Sequence, residues 1–191
     1  MPTLPDDVQR LIEDMNAADR VAEELSARLS DEDFFWRPHG GTRWSVALCL
    51  DHLAVANDIY GRAIEPGIAD ARARGWGRRG PLAPGFFGRK FAESLEPPAK
   101  RRTRAPGRIK PQEARGRAEI LAAYRAAHDR VRKLLVEAAN LDANRATFQN
   151  PFIGIFRMKV SSGFHVIAAH DRRHLWQAQQ VVAARRAEVV V

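Results

Sequence analysis

The sequence has a single cysteine, Cys49, and no run of about 18 apolar residues. One cysteine cannot form an internal disulfide, which agrees with a reducing compartment. The lack of a long apolar run excludes a membrane-spanning helix, and the acidic, amphipathic start MPTLPDDVQRLIEDM does not resemble a secretory signal. We therefore expect a cytoplasmic protein with no membrane partner.

Several common catalytic patterns are also missing. The chain has no phosphate-binding loop of the form G-x-x-x-x-G-K-[ST], no H-E-x-x-H motif, no ordered Ser-His-Asp set and no carboxylate pair placed by spacing. The stretch GWGRRGPLAPG is rich in glycine, but it neither follows a predicted strand nor opens a helix. Triad, paired-acid and phosphate-loop mechanisms are therefore without support.

The apolar residues instead follow a helical period. The chain has 191 residues and is 45% apolar, which is enough for one domain spanning residues 1 to 191. Ser45 can cap the second helix, and Ser161 or Ser162 can cap the last. No strand is convincing. RMKV near 157 to 160 could be extended, but one extended segment alone makes no sheet. The predicted helices cover residues 5 to 29, 45 to about 71, 111 to about 140 and 163 to about 187.

The second and third predicted helices are joined by a long basic segment, residues 72 to 110, which shows no period beyond a short helical turn near 86 to 95. From Arg72 to Arg117 the chain carries 14 Lys and Arg against 3 Glu. Its most basic part, PPAKRRTRAPGRIKP (97 to 111), could bind nucleic acid with help from nearby aromatic rings, bind an anionic substrate at the bundle mouth, or remain solvated. Four helices with one long connection predict an all-α four-helix bundle with a crossover.

The last helix carries two histidines one turn apart in AAHDRRHLWQ. His170 and His174 share its apolar face, and the spacing H-x-x-x-H allows both rings to bind one metal ion. His52 lies on the interior face of the second helix and could supply a third imidazole. The alternative is that all three are core histidines bonded to backbone carbonyls.

Several further polar and aromatic residues could have either a functional or a structural role. Gln177 could orient an imidazole or bond a metal-bound water, or simply lie at the edge of the core. His128 could carry protons in the same cavity, although a core histidine is the more common outcome. Cys49 could touch the metal, but a small buried residue is favoured. We expect Trp36 and Trp44 to pack at the entrance of the second helix, and Trp176 to be core or a dimer contact. His39 and His165 are not expected to be ligands.

Two motifs together resemble a known group of bacterial proteins. TRWSVALCLDHLA (42 to 54) followed far downstream by IAAHDRRHLWQAQQV (167 to 181) is similar to the DinB-like, YfiT-like superfamily. Its pattern is W-S at the head of the second helix, a histidine about seven residues later, and H-x-x-x-H in the fourth helix. The resemblance covers nearly the whole chain in helix order and number.

The resemblance implies a four-helix bundle with a divalent metal, commonly nickel, zinc or iron, held by three histidines that match His52, His170 and His174. It also implies a homodimer and a small-molecule substrate. Relatives include transferases that use low-molecular-weight thiols and metal-dependent hydrolases. The metal would act as a Lewis acid on bound water or on a thiolate. The competing hypothesis is a non-catalytic, stress-related protein that binds nucleic acid or another acidic partner through the basic crossover.

Overall fold

The computed structural model describes residues 3 to 98, 107 to 111 and 115 to 189, and the chain is mostly helical there. Four long helices correspond to the four predicted ones. Shorter elements are α2 (Asp31–Phe35), α4 (Phe86–Leu95), β1 (Thr147–Gln149) and β2 (Arg157–Lys159). The long helices are α1 (Asp6–Arg28), α3 (Val46–Ala73), α5 (Arg117–Ala138) and α6 (Val160–Val189).

Helix α3 is the most buried of the four and packs against both α5 and α6. Its N-terminus is capped as predicted, because Ser45 Oγ accepts a hydrogen bond from the Leu48 amide at 3.1 Å. The helix continues through Pro66 to Ala73. Gly61 allows close packing with α5, since a Cβ at Gly61 would lie 2.9 Å from Arg130 Cδ. This packing holds His52, on the same helix, inside the protein.

The connection between α3 and α5 is partly helical. Helix α4 lies along the first half of α6, and Gly88 contacts Ser162 so closely that an added Cβ would lie 2.4 Å from its Cβ. A 3-10 turn, Gly107–Ile109, then returns to α3. The most basic residues, 99 to 106, lie outside the described residues, so the expectation that they bind nucleic acid stays a prediction.

The expected serine cap of the last helix is wrong. Helix α6 begins at Val160, so Ser161 and Ser162 lie inside its first turn. Ser161 Oγ donates to the Ala83 carbonyl at 3.0 Å, and Ser162 Oγ accepts from the Gly85 amide at 3.2 Å. The two hydroxyls therefore fasten the crossover to α6. The third predicted helix also differs, because α5 begins at Arg117 and Pro111 is not helical.

The expectation of no strand is also wrong. Strands β1 and β2 pair antiparallel with Phe148 opposite Met158, and both of these side chains are buried. Each strand is only three residues long, so an alternating pattern is hard to recognise in the sequence. The hairpin packs on the end of α3 where a Cβ at Gly67 would lie 2.8 Å from the Thr147 carbonyl oxygen. Within the described ranges, no helix is both long enough and apolar enough to cross a membrane.

Candidate metal centre

Three histidines from α3 and α6 converge in the interior. One ring nitrogen from each of His52, His170 and His174 lies within 4.8 Å of the other two. His52 and His174 are buried, whereas His170 is partly exposed. The cluster therefore lies mainly in the interior, and His170 is its least buried member.

The His52 ring is oriented by the crossover. His52 Nδ1 lies 2.6 Å from the Ile109 carbonyl oxygen, which can only accept a hydrogen bond. Nδ1 must therefore carry the proton, and Nε2 of the neutral ring has a free lone pair. That Nε2 lies 3.2 Å from His170 Nε2. Two nitrogens bound to one zinc ion at about 2.1 Å are separated by roughly 3 to 4 Å, so this pair has a suitable spacing.

The His174 ring is held in the same way by a side chain. His174 Nδ1 lies 3.0 Å from Gln177 Oε1, so Nδ1 donates and Nε2 is free. Gln177 therefore lies where it could orient the His174 imidazole, and that role stays a prediction. A hydrogen bond to the second ring nitrogen is the usual support of a histidine that binds metal.

The three rings are neutral near pH 7. Burial lowers the pKa of His52, and burial together with the adjacent His52 lowers the pKa of His174 to about 3. Burial, then His174 and His52, hold the pKa of His170 well below its usual value. Neutral imidazole is the form that binds a metal ion, because a protonated ring has no lone pair.

Trp44 forms one wall of the cluster. Its ring centroid lies 4.8 Å from that of His52 and 5.6 Å from that of His174. The expectation that Trp44 packs at the entrance of the helix is consistent with this position, but its contact with two of the histidines was not anticipated.

Cys49 is fully buried in an apolar cluster with Leu50 and Leu53, and burial raises the pKa of its thiol.

Two further contacts of the crossover next to His52 were missed by sequence reasoning. The Ile109 carbonyl bonds His52, as described above. Arg115 Nη1 lies 3.0 Å from a carboxylate oxygen of Asp51, which is fully buried and directly precedes His52. A basic residue in an Arg-rich segment has no sequence signal that marks it as a partner of a distant acid.

The remaining histidines lie elsewhere. His128 is fully buried on α5, and its ring contacts Asp19, Asn57, Tyr124 and Asp171. His165 Nδ1 bonds the Ser161 carbonyl at 2.9 Å. His39 is exposed in a turn with a φ of 54°. As predicted, neither His165 nor His39 belongs to the three-histidine cluster.

The donor set fits a divalent ion. Three neutral imidazoles whose ring nitrogens face one another suit zinc, nickel or iron, whereas magnesium and calcium prefer oxygen. Three protein ligands leave further coordination positions open, which is typical of a catalytic site more than of a structural one. In the part of the chain that the structure describes, His52, His170 and His174 form the group of histidine, cysteine and acidic side chains that lie close enough together to bind one metal ion.

Comparison with known proteins agrees with this geometry. The model of the DinB superfamily matches residues 14 to 178, a range that contains all three histidines. No curated protein and no solved structure matches the chain. Because the match covers most of the chain, we conclude that this protein is a member of the DinB superfamily.

Proposed function

We propose that this protein binds a divalent zinc, nickel or iron ion through His52, His170 and His174, and that the site transforms a small molecule. The reaction is transfer to or from a low-molecular-weight thiol, or hydrolysis. The observation that carries the proposal is the cluster itself, in which His52 and His174 each use the second ring nitrogen in a hydrogen bond. We further propose a single cytoplasmic domain with the four-helix bundle of its superfamily, assembled as a homodimer.

The chain's own residues account for much of such a site. The Ile109 carbonyl and the Gln177 amide oxygen fix the tautomers of His52 and His174. Trp44 contacts the two rings and packs against the apolar cluster that contains Cys49, Leu50 and Leu53. A bound ion would supply Lewis-acid chemistry at the coordination positions that the three histidines leave open.

Metal content tests the proposal directly. We expect protein purified without a metal-affinity tag to contain about one zinc, nickel or iron ion per chain by elemental analysis. His52→Ala and His170→Ala should reduce that content to background, because two imidazoles bind a divalent ion much more weakly than three.

The matched control is His39→Asn, since His39 is exposed and lies outside the cluster, and asparagine tolerates the positive φ of that position. This variant should keep the metal content of the wild type. Wild-type protein that remains metal-free after incubation with zinc, with nickel and with ferrous iron would refute the proposal and make the three histidines core residues.

A further inference from the structure

Beside the three histidines lies a second group of polar side chains, one from each of the four long helices, and all of them except the partly exposed Asp19 are buried. Asp19 is on α1, Asn57 on α3, His128 on α5 and Asp171 on α6. Asn57, His128 and Asp171 are all buried, with 1% or less of each residue exposed. We call these four residues the buried polar cluster.

Specific contacts join the members. Asn57 Nδ2 donates to Asp171 Oδ1 at 2.8 Å, and it lies 3.1 Å from His128 Nε2. The His128 ring lies between two carboxylates, with Nδ1 at 2.8 Å from Asp19 and Nε2 at 3.4 Å from Asp171. Arg132 forms an ion pair with the other oxygen of Asp19. Every long helix is therefore joined to another through this cluster.

Such contacts fix helix positions in a way that apolar packing does not. A shift of one residue along a helix moves its side chains by about 1.5 Å, enough to break a hydrogen bond of 2.8 Å. An unpaired carboxylate in the interior is costly, so other registers of α3 against α6 are strongly disfavoured. Leucine and alanine contacts in the same core tolerate small displacements at lower cost.

Each of the two helices that carry the metal ligands also carries a member of the buried polar cluster, close to a ligand in the sequence. Asp171 directly follows His170 on α6, and Asn57 is five residues after His52 on α3. The Asn57–Asp171 hydrogen bond therefore joins α3 to α6 close to the His52–His170 pair. Measured along the axis of α3, the two contacts are about 8 Å apart. Any change in the register of these helices changes the distance between His52 and His170.

Resting on the function proposed above, we propose that Asn57 and Asp171, supported by His128 and Asp19, are positioning residues that set the separation of His52 and His170 for metal binding. Metal-to-nitrogen distances vary by only about 0.2 Å in well-formed sites. Apolar contacts have no preferred direction, so they define this separation less sharply than the Asn57–Asp171 hydrogen bond does. The role of the buried polar cluster is therefore geometric and goes beyond its contribution to stability.

The test exchanges the two partners. Asn57→Asp places two carboxylates against each other, and Asp171→Asn exchanges the charged acceptor for a weaker, neutral amide oxygen. The double variant restores an amide-to-carboxylate bond in the opposite direction and keeps a carboxylate beside His128. Co²⁺ is the probe, because its visible absorption reports ligand geometry. We expect each single variant to bind Co²⁺ at least about tenfold more weakly with an altered spectrum, and the double variant to recover affinity and spectrum.

Ile64→Ala is the matched control. Ile64 is fully buried on the same helix but belongs to the apolar core, so its loss destabilises the fold without touching the buried polar cluster. This variant should unfold at a lower temperature and still bind Co²⁺ as the wild type does.

Three results would overturn the inference while leaving metal binding intact. They are wild-type affinity and spectrum in both single variants, a double variant that binds as weakly as the single ones, and an equal loss of affinity in Ile64→Ala. Absence of Co²⁺ binding by the wild type is a different failure, because it refutes the proposed function and the positioning role with it.

Discussion

At the scale of single residues, the local part of the site could be predicted and the long-range part could not. His170 and His174 are one turn apart on one helix, so their common face follows from the helical period alone. His52 could be assigned to the interior face of its helix, but the sequence does not show which residues of the last helix lie opposite it. The partners Ile109 and Arg115 could not be predicted, since their contacts depend on how the crossover folds back on α3.

Gln177 gives the sharpest test at this scale. Gln177→Leu removes the acceptor of the His174 Nδ1 proton, so the ring loses the contact that fixes its tautomer. We expect zinc affinity to fall about 10- to 100-fold, measured by competition with a chromogenic chelator. Gln179→Leu is the control, because Gln179 is exposed on the same helix. Equal affinities in the two variants would contradict the role of Gln177.

At the scale of elements, the long helices were predictable because each repeats its pattern over more than five turns. Of the short elements, α4 lies where a helical turn was expected, near 86 to 95, whereas α2 and the two strands were not predicted. Strands β1 and β2 have three residues each, and α2 has five, so their patterns are too brief to stand out. The start of α6 was misplaced because Ser161 and Ser162 have the composition of a cap but bond the crossover instead.

The contact between α4 and α6 leads to a stability prediction. Gly88→Ala would place a Cβ within 2.4 Å of the Ser162 side chain, so α4 must move away from α6. We expect a loss of about 1 to 3 kcal/mol in the free energy of unfolding, measured by urea denaturation. Gly80→Ala is the matched control, because its Cβ would meet no atom within 4 Å. A Gly88→Ala protein as stable as Gly80→Ala would contradict this close packing.

At the scale of the whole molecule, stability depends on the charge of one buried ring that links the long helices. Burial alone would lower the pKa of His128, but Asp171 and Asp19 outweigh that effect and raise the pKa from 6.5 to about 9. A raised pKa in the folded state means that the charged ring stabilises the fold. This contribution is fully present below pH 6.5 and is lost as the pH rises through about 9.

We therefore expect the free energy of unfolding to fall by on the order of 2 to 3 kcal/mol between these pH values, as measured by urea denaturation at a series of pH values. His128→Gln should flatten this dependence. Cys49→Ala should preserve it, because burial raises the pKa of the Cys49 thiol above its ordinary value of 9.0, so the thiol affects stability only above this pH range. A wild-type profile that is level from pH 6.5 to 9 would contradict a charged His128.

The bond between His52 and the crossover has one more consequence, which concerns how the protein can be studied. The acceptor at Ile109 is a main-chain oxygen, and every amino acid has one. Replacing Ile109 with any other residue leaves that oxygen in the chain, so a mutational scan of side chains would not remove this support of the ring. Only a deletion, an insertion or a backbone ester that displaces or weakens the acceptor would expose its contribution.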